Sequence, residues 1–107
     1  MDGIEGKARS LGARGRLFTV MASSVRDLIR GDPIELGDGE SAKRLETAIH
    51  IIQELLSRGA DRWDTLIAVG GCSLLDVAGF AASIYKRGID YVNVPTTLLA
   101  MVDAAIG

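Results

Sequence analysis

A chain of 107 residues is enough polypeptide for one domain with its own core, and short of a two-domain enzyme. Hydrophobic residues make up 48%, charged residues 24%, and the formal net charge is -2, which describes a globular protein without the basic field a nucleic acid partner attracts. One cysteine excludes an internal disulfide framework, and with one histidine it falls short of the roughly three or four soft ligands of a zinc site.

Residues 1 to 16 carry Lys7, Arg9, Arg14 and Arg16 among four glycines, with no apolar segment and no periodicity. They are expected to be a mobile lead-in to a partial α/β domain spanning 17 to 107, and not a secretory signal, so the cytoplasm is the expected location. No run of about 18 apolar residues occurs, since Asp76 breaks the longest candidate, and no membrane partner is expected. Leu17 to Ala22 is β-branched and apolar, as in a short buried strand. Ser23 and Ser24 offer cap oxygens to a short helix with Val25, Leu28 and Ile29 at helical spacing, which Gly31-Asp32-Pro33 stops. Ile34 to Leu36 reads as a second strand and Gly37 to Glu40 as a turn.

From Ser41 an amphipathic helix is expected, with Leu45, Ala48, Ile49, Ile52, Leu55 and Leu56 on its apolar face. Glu54 with Arg58, and Glu40 with Lys43 or Arg44, stand at helical pairing distance. His50 falls between the faces as a partly buried polar residue, Gly59 follows the helix end, and Trp63 is expected as a packing lid over the turn from Asp61 to Asp64.

Thr65 to Val69 is a continuous apolar strand of the kind covered on both faces, and it runs into Gly70-Gly71-Cys72-Ser73. A helix is expected from about Leu74 to Lys86, with Leu74, Val77, Phe80, Ala81 and Ile84 on one face and the small residues Ala78, Gly79, Ala82 and Ser83 on another. Tyr91 to Val94 forms the next strand, and Pro95-Thr96-Thr97 leads into a last helix, Leu98 to Ile106. Alternation of strands and helices with short connections predicts a three-layer, Rossmann-like parallel sheet with helices on both faces. Its strand ends gather Gly37 to Glu40, Gly70 to Ser73 and Pro95 to Thr97 on one edge. There the glycine pair is either a pyrophosphate cradle at a helix start or an ordinary strand-to-helix turn.

Three separated motifs, Asp38-Gly39-Glu40-x-x-Lys43, Gly70-Gly71-x-x-x-x-Asp76-x-x-Gly79-Phe80 and Pro95-Thr96-Thr97-Leu98-Leu99-Ala100-x-x-Asp103, together with Tyr85-x-Arg87-Gly88, resemble 3-dehydroquinate synthase from about Leu17 to Gly107. The resemblance implies a carbon-oxygen lyase of the shikimate pathway and aromatic amino acid biosynthesis. It converts 3-deoxy-arabino-heptulosonate 7-phosphate to 3-dehydroquinate and phosphate with bound NAD and a divalent metal, zinc or cobalt. By the same resemblance Glu40 and Lys43 serve the adenosine ribose and Asp38 also binds the cofactor, Gly70 and Gly71 serve the pyrophosphate, Asp76 a ribose, and Thr96, Thr97 and Leu98 the nicotinamide end. Asp103 is the catalytic acidic residue near the reacting hydroxyl, and Arg87 reaches the substrate phosphate across a dimer.

Each position also has a plainer reading. Glu40 and Lys43 form a helix-start ion pair, Ser73-x-x-Asp76 a capping box, Arg87 a cation at a helix end, and Asp103 a polar helix position. Departures from the family pattern are Cys72 in place of a third glycine, Ala104-Ala105 in place of a serine-containing pair, and a missing N-terminal strand pair. The sequence stops at Gly107, before the family's catalytic lysine, metal ligands and helical second domain, so no metal ligand is assigned. The expectation is a fragment inactive alone, completed by a homodimer partner or the missing C-terminal half. The alternatives are another sugar-phosphate cyclase, a metal-dependent polyol dehydrogenase, or a non-catalytic binding or assembly module. Gly79-Phe80 and Leu98-Leu99-Ala100 argue against the dehydrogenase.

Overall fold

The computed structural model describes residues 3–29, 31–37 and 44–96. Within them β1 (Leu17–Ala22), β2 (Ile34–Leu36), β3 (Thr65–Gly70) and β4 (Asp90–Pro95) make one sheet in the order β2-β1-β3-β4, every pair parallel. Val20 stands opposite Ile34 on one side and Ala68 on the other, and Gly70 stands opposite Pro95. All six residues of β3 are buried, as its unbroken apolar run requires of a central parallel strand.

Helices α2 (Arg44–Ser57) and α3 (Cys72–Ile84) cover one face of the sheet, where Val20, Ile34, Leu66 and Ala68 meet Ile51, Leu55, Val77 and Ala81. The other face is covered by α1 (Gly3–Ser10) and by a 3-10 segment, Ser23–Leu28, around Met21, Ile67, Val69 and Val94. Two faces, each with its own apolar cluster, give the three-layer parallel architecture. No helix among the described residues is long and apolar enough to cross a membrane.

Several local expectations need correction. In place of a lead-in without any element, α1 buries Ile4 and Ala8, one turn apart, against the second face. The buried stripe of α2 is Ala48, Ile51 and Leu55, while Leu45, Ile49 and Leu56 are exposed. Two apolar stripes flank each other on this helix, and the one that includes Ile51 turns to the sheet. On α3 the alanines of the small-residue face, Ala78 and Ala82, belong to the buried face, while Ser83 is exposed. Leu74, Val77, Ala78, Ala81 and Ala82 pack inward, whereas Phe80 and Ile84 are exposed, because alanines let the helix lie close to the strands.

Trp63 is no lid: it is 61% exposed and lies under the Arg62 guanidinium, 4.8 Å from its ring centroid. His50 is exposed. The segment after β1 is capped by neither serine, and the Ser23 hydroxyl donates instead to the Leu36 carbonyl at 3.1 Å. By contrast, Gly59 adopts the positive φ of +76° expected after a helix, with Ala60 N–H donating to Leu55 O at 3.0 Å. The Glu54–Arg58 pair forms at 3.1 Å.

Asp64 ties the start of β3 to the segment before β1. Its carboxylate accepts from the backbone N–H groups of Arg16 and Asp61, each at 2.8 Å, and from the Arg16 guanidinium at 3.1 Å. Burial alone raises its pKa, but the Asp61 and Arg16 donors outweigh burial and hold the carboxyl below its ordinary 3.8. A depressed folded pKa means stability that is present above 3.8 and lost as pH falls through the folded value. Asp64→Asn is therefore expected to lower unfolding free energy by about 2 kcal/mol at neutral pH, the scale of a charge-assisted hydrogen bond. In denaturant titrations the gap between the two proteins narrows as pH falls below 3.8, and a gap that stays constant with pH would remove the carboxylate from this role.

Candidate functional site

Because all four strands are parallel, Ala22, Leu36, Gly70 and Pro95 end on the same edge. The chain leaves β1 to pair β2 on one side and returns at β3 on the other. That reversal opens a crevice beyond the ends of β1 and β3, the place where open α/β sheets hold ligands.

The two glycines at this crevice do different things. Gly70 closes β3 and is buried, and a methyl group there would lie 3.0 Å from Leu74 Cδ1, so glycine lets α3 settle onto the strand end. Gly71 precedes α3 with φ of -85° and ψ of 179°, open to any residue, and a methyl group on it would meet nothing within 4 Å among the described residues. Neither backbone conformation nor packing demands glycine at that position. What it leaves is an open backbone surface at the positive end of a 13-residue helix that has no side-chain cap.

Asp76 is exposed on the second turn of α3, and with Leu45, Val77 and Phe80 it lines a cavity of about 330 Å³ between α2 and α3. The capping-box alternative fails, because α3 begins at Cys72 and Ser73 is already inside its first turn. Tyr91, on β4, donates its hydroxyl to the Leu75 carbonyl. Burial first, then the nearby Asp76 carboxylate, pushes its phenol up to about 12. The pairing of Gly70 with Pro95 puts half-buried Thr96, the next residue after β4, at the same sheet edge. Cys72 is exposed at the first position of α3.

Gly70, Gly71, Asp76 and Thr96 are thus brought to one edge. Arg87 is not. It lies beyond the far end of α3, about 20 Å of helix away from Gly71, exposed and with φ of +70°. With Lys86 at +46° it makes two consecutive left-handed non-glycine residues, held by buried Tyr85, whose hydroxyl donates to Ala60 O at 2.7 Å. Asp38, Glu40, Lys43, Thr97, Leu98 and Asp103 lie outside the described residues. Leu45, Phe80 and Tyr91 were not singled out from the sequence as site residues. Phe80 stands one turn from Asp76, a spacing that would have pointed to it, but the role of Tyr91 depends on how β4 packs under α3. Among the described residues no group of three or more His, Cys, Asp or Glu could hold a metal ion.

A family model described as 3-dehydroquinate synthase N-terminal matches residues 33–107. The chain belongs to the 3-dehydroquinate synthase family. Relatives of that name from Saccharolobus solfataricus and Sulfurisphaera tokodaii are each 54% identical over 74 residues, 69% of this chain and 21% of theirs. The chain therefore spans about a fifth of the length of its curated family relatives. Among solved structures, 2-epi-5-epi-valiolone synthase from Streptomyces hygroscopicus subsp. jinggangensis 5008, with NAD+ and Zn2+ bound, is 28% identical with a TM-score of 0.72. That likeness covers 98% of this chain and 33% of the synthase. A 2-deoxy-scyllo-inosose synthase structure is 25% identical with a TM-score of 0.70, over 87% of this chain and 30% of its own. The likeness to the valiolone synthase thus also takes in the part before residue 33, which the family model does not match.

Proposed function

We propose that this chain is the NAD-binding part of a 3-dehydroquinate synthase, with residues 17 to 107 as its cofactor domain. The observation that carries this reading is Gly71: an uncapped helix start at the switch point of a parallel sheet, with a glycine that the fold itself does not require. The identity of 54% to curated synthases favours this substrate over that of the cyclase relatives, which stand at 28% and 25%.

The first amides of α3 bind the pyrophosphate through aligned N–H groups and the helix dipole. Asp76 accepts from a ribose hydroxyl at the mouth of the α2–α3 cavity. Glu40 and Lys43 hold the adenosine ribose, Asp38 also binds the cofactor, and Thr96, Thr97 and Leu98 border the nicotinamide. When bound, NAD supplies reversible hydride transfer to the substrate carbon. Asp103 orients the reacting hydroxyl, and Arg87, too far from its own cradle to serve it, binds the substrate phosphate in a dimer partner. The full activity, in the cytoplasm and with a divalent metal, belongs to the longer protein of this family and to a small-molecule substrate.

Calorimetric titration of the 107-residue chain with NAD tests this directly. Saturable binding is expected, and Asp76→Ala weakens it about tenfold, the loss of about one charge-assisted hydrogen bond. No binding at millimolar NAD would overturn the reading.

A further inference from the structure

Tyr91 stands opposite Leu66 in the β3–β4 register, on the face that α3 covers. Its ring lies under the middle of α3, where a methyl group on Gly79 would come within 3.1 Å of the ring edge. Glycine at that helix turn is what admits the ring. Its hydroxyl donates to the Leu75 carbonyl, while the Leu75 N–H donates at 3.0 Å to the Gly71 carbonyl, the bond that opens the helix. A single residue therefore links Tyr91 to Gly71, and the peptide whose oxygen Tyr91 holds is the one joining Leu75 to Asp76. With its phenol pushed up to about 12, Tyr91 remains a donor at any working pH.

We infer that Tyr91 is a positioning residue for the cofactor cradle: its hydroxyl, bound to Leu75, fixes the rotation and height of the first two turns of α3. The aim of the Gly71 turn and of the Asp76 carboxylate follows from that hold. The inference rests on the NAD reading above and adds a residue that lies beneath α3 and acts on the cradle through Leu75.

Tyr91→Phe keeps the ring against Gly79 and removes only the donor. In the 107-residue chain, amide exchange of Leu75 and Asp76, in the first hydrogen-bonded turn of α3, is expected to quicken about fivefold, while amides of Thr65 to Val69 keep their rates. NAD binds about fivefold more weakly to this variant, and combined with Asp76→Ala the two losses are less than additive, as for residues that act through one group. Unchanged exchange at Leu75 and Asp76, acceleration spread evenly over β3 as well, or strictly additive losses would each overturn the assignment. Labelling of the exposed Cys72 thiol separates this from failure of the cofactor reading, since NAD seated on the turn slows it in the unsubstituted chain. If NAD neither titrates nor slows labelling, the cofactor reading falls and Tyr91 loses its role with it. If NAD binds and slows labelling but Tyr91→Phe changes nothing, the Tyr91 assignment alone falls.

Discussion

Gly15→Ala is expected to destabilise the chain by about 3 kcal/mol. Gly15 has φ of +68°, a region that alanine enters only with strain. Space is the second obstacle. A methyl group on Gly15 would lie 2.5 Å from Trp63 O, 2.6 Å from Asp64 Oδ1 and 2.9 Å from Asp64 Cα, and two of those three atoms are backbone that cannot turn away. The residues on either side are bound to the same strand start. Arg14 N–H donates to Thr65 Oγ1 at 3.0 Å, that hydroxyl donates to Arg14 O at 2.8 Å, and Arg16 N–H donates to Asp64 Oδ1 at 2.8 Å. Pushing residue 15 outward thus opens the clasp that joins the segment before β1 to β3. Gly12→Ala is the control: φ is +100° but nothing lies within 4 Å, so strain alone remains, about 1 kcal/mol. Urea unfolding of both variants checks this, and equal losses at the two positions would refute the steric part.

The layer structure was legible in the sequence because its strongest signals are local. β3 reads as one apolar run, and Gly59 and Gly70-Gly71 punctuate the helices around it. Which stripe of a helix faces the sheet is a different kind of fact. Leu45, Ile49 and Leu56 are as apolar as Ile51 and Leu55, and only the position of the sheet decides between the stripes. Helix α1 was illegible for the opposite reason. Its charges and glycines leave Ile4 and Ala8 as the whole apolar signal, and two residues one turn apart do not make a period.

At the candidate site, the sequence pointed to the glycine pair and to Asp76 but not to the division of labour between them. The distinct role of Gly70 appears only once Leu74 is placed beside it, and the rejection of the Ser73–Asp76 capping box depends on α3 starting two residues earlier than expected. Arg87 shows the reverse case. Its place in a Tyr-x-Arg-Gly motif was readable, while its distance from Gly71 follows from a helix that carries the chain back across the sheet.

Gly71→Val is the complementary experiment to Gly15→Ala, with fold and function exchanging places. Its φ of -85° and ψ of 179° suit a β-branched residue, and the first atom of a side chain meets nothing within 4 Å, so the fold loses only the difference between glycine and valine as a helix cap, about 1 kcal/mol or less. NAD affinity is expected to fall about a hundredfold, some 2.7 kcal/mol, because a branched side chain occupies the backbone surface on which the pyrophosphate rests. Gly70→Ala should behave differently, since its methyl group displaces Leu74 and the damage appears in stability first and in affinity through it. Melting curves and NAD titrations of the two variants separate the cases. Valine at position 71 with undiminished NAD binding would move the cradle away from this turn, whereas lost binding with an intact melting curve means that Gly71 is a glycine for the ligand's sake and Gly70 one for the protein's.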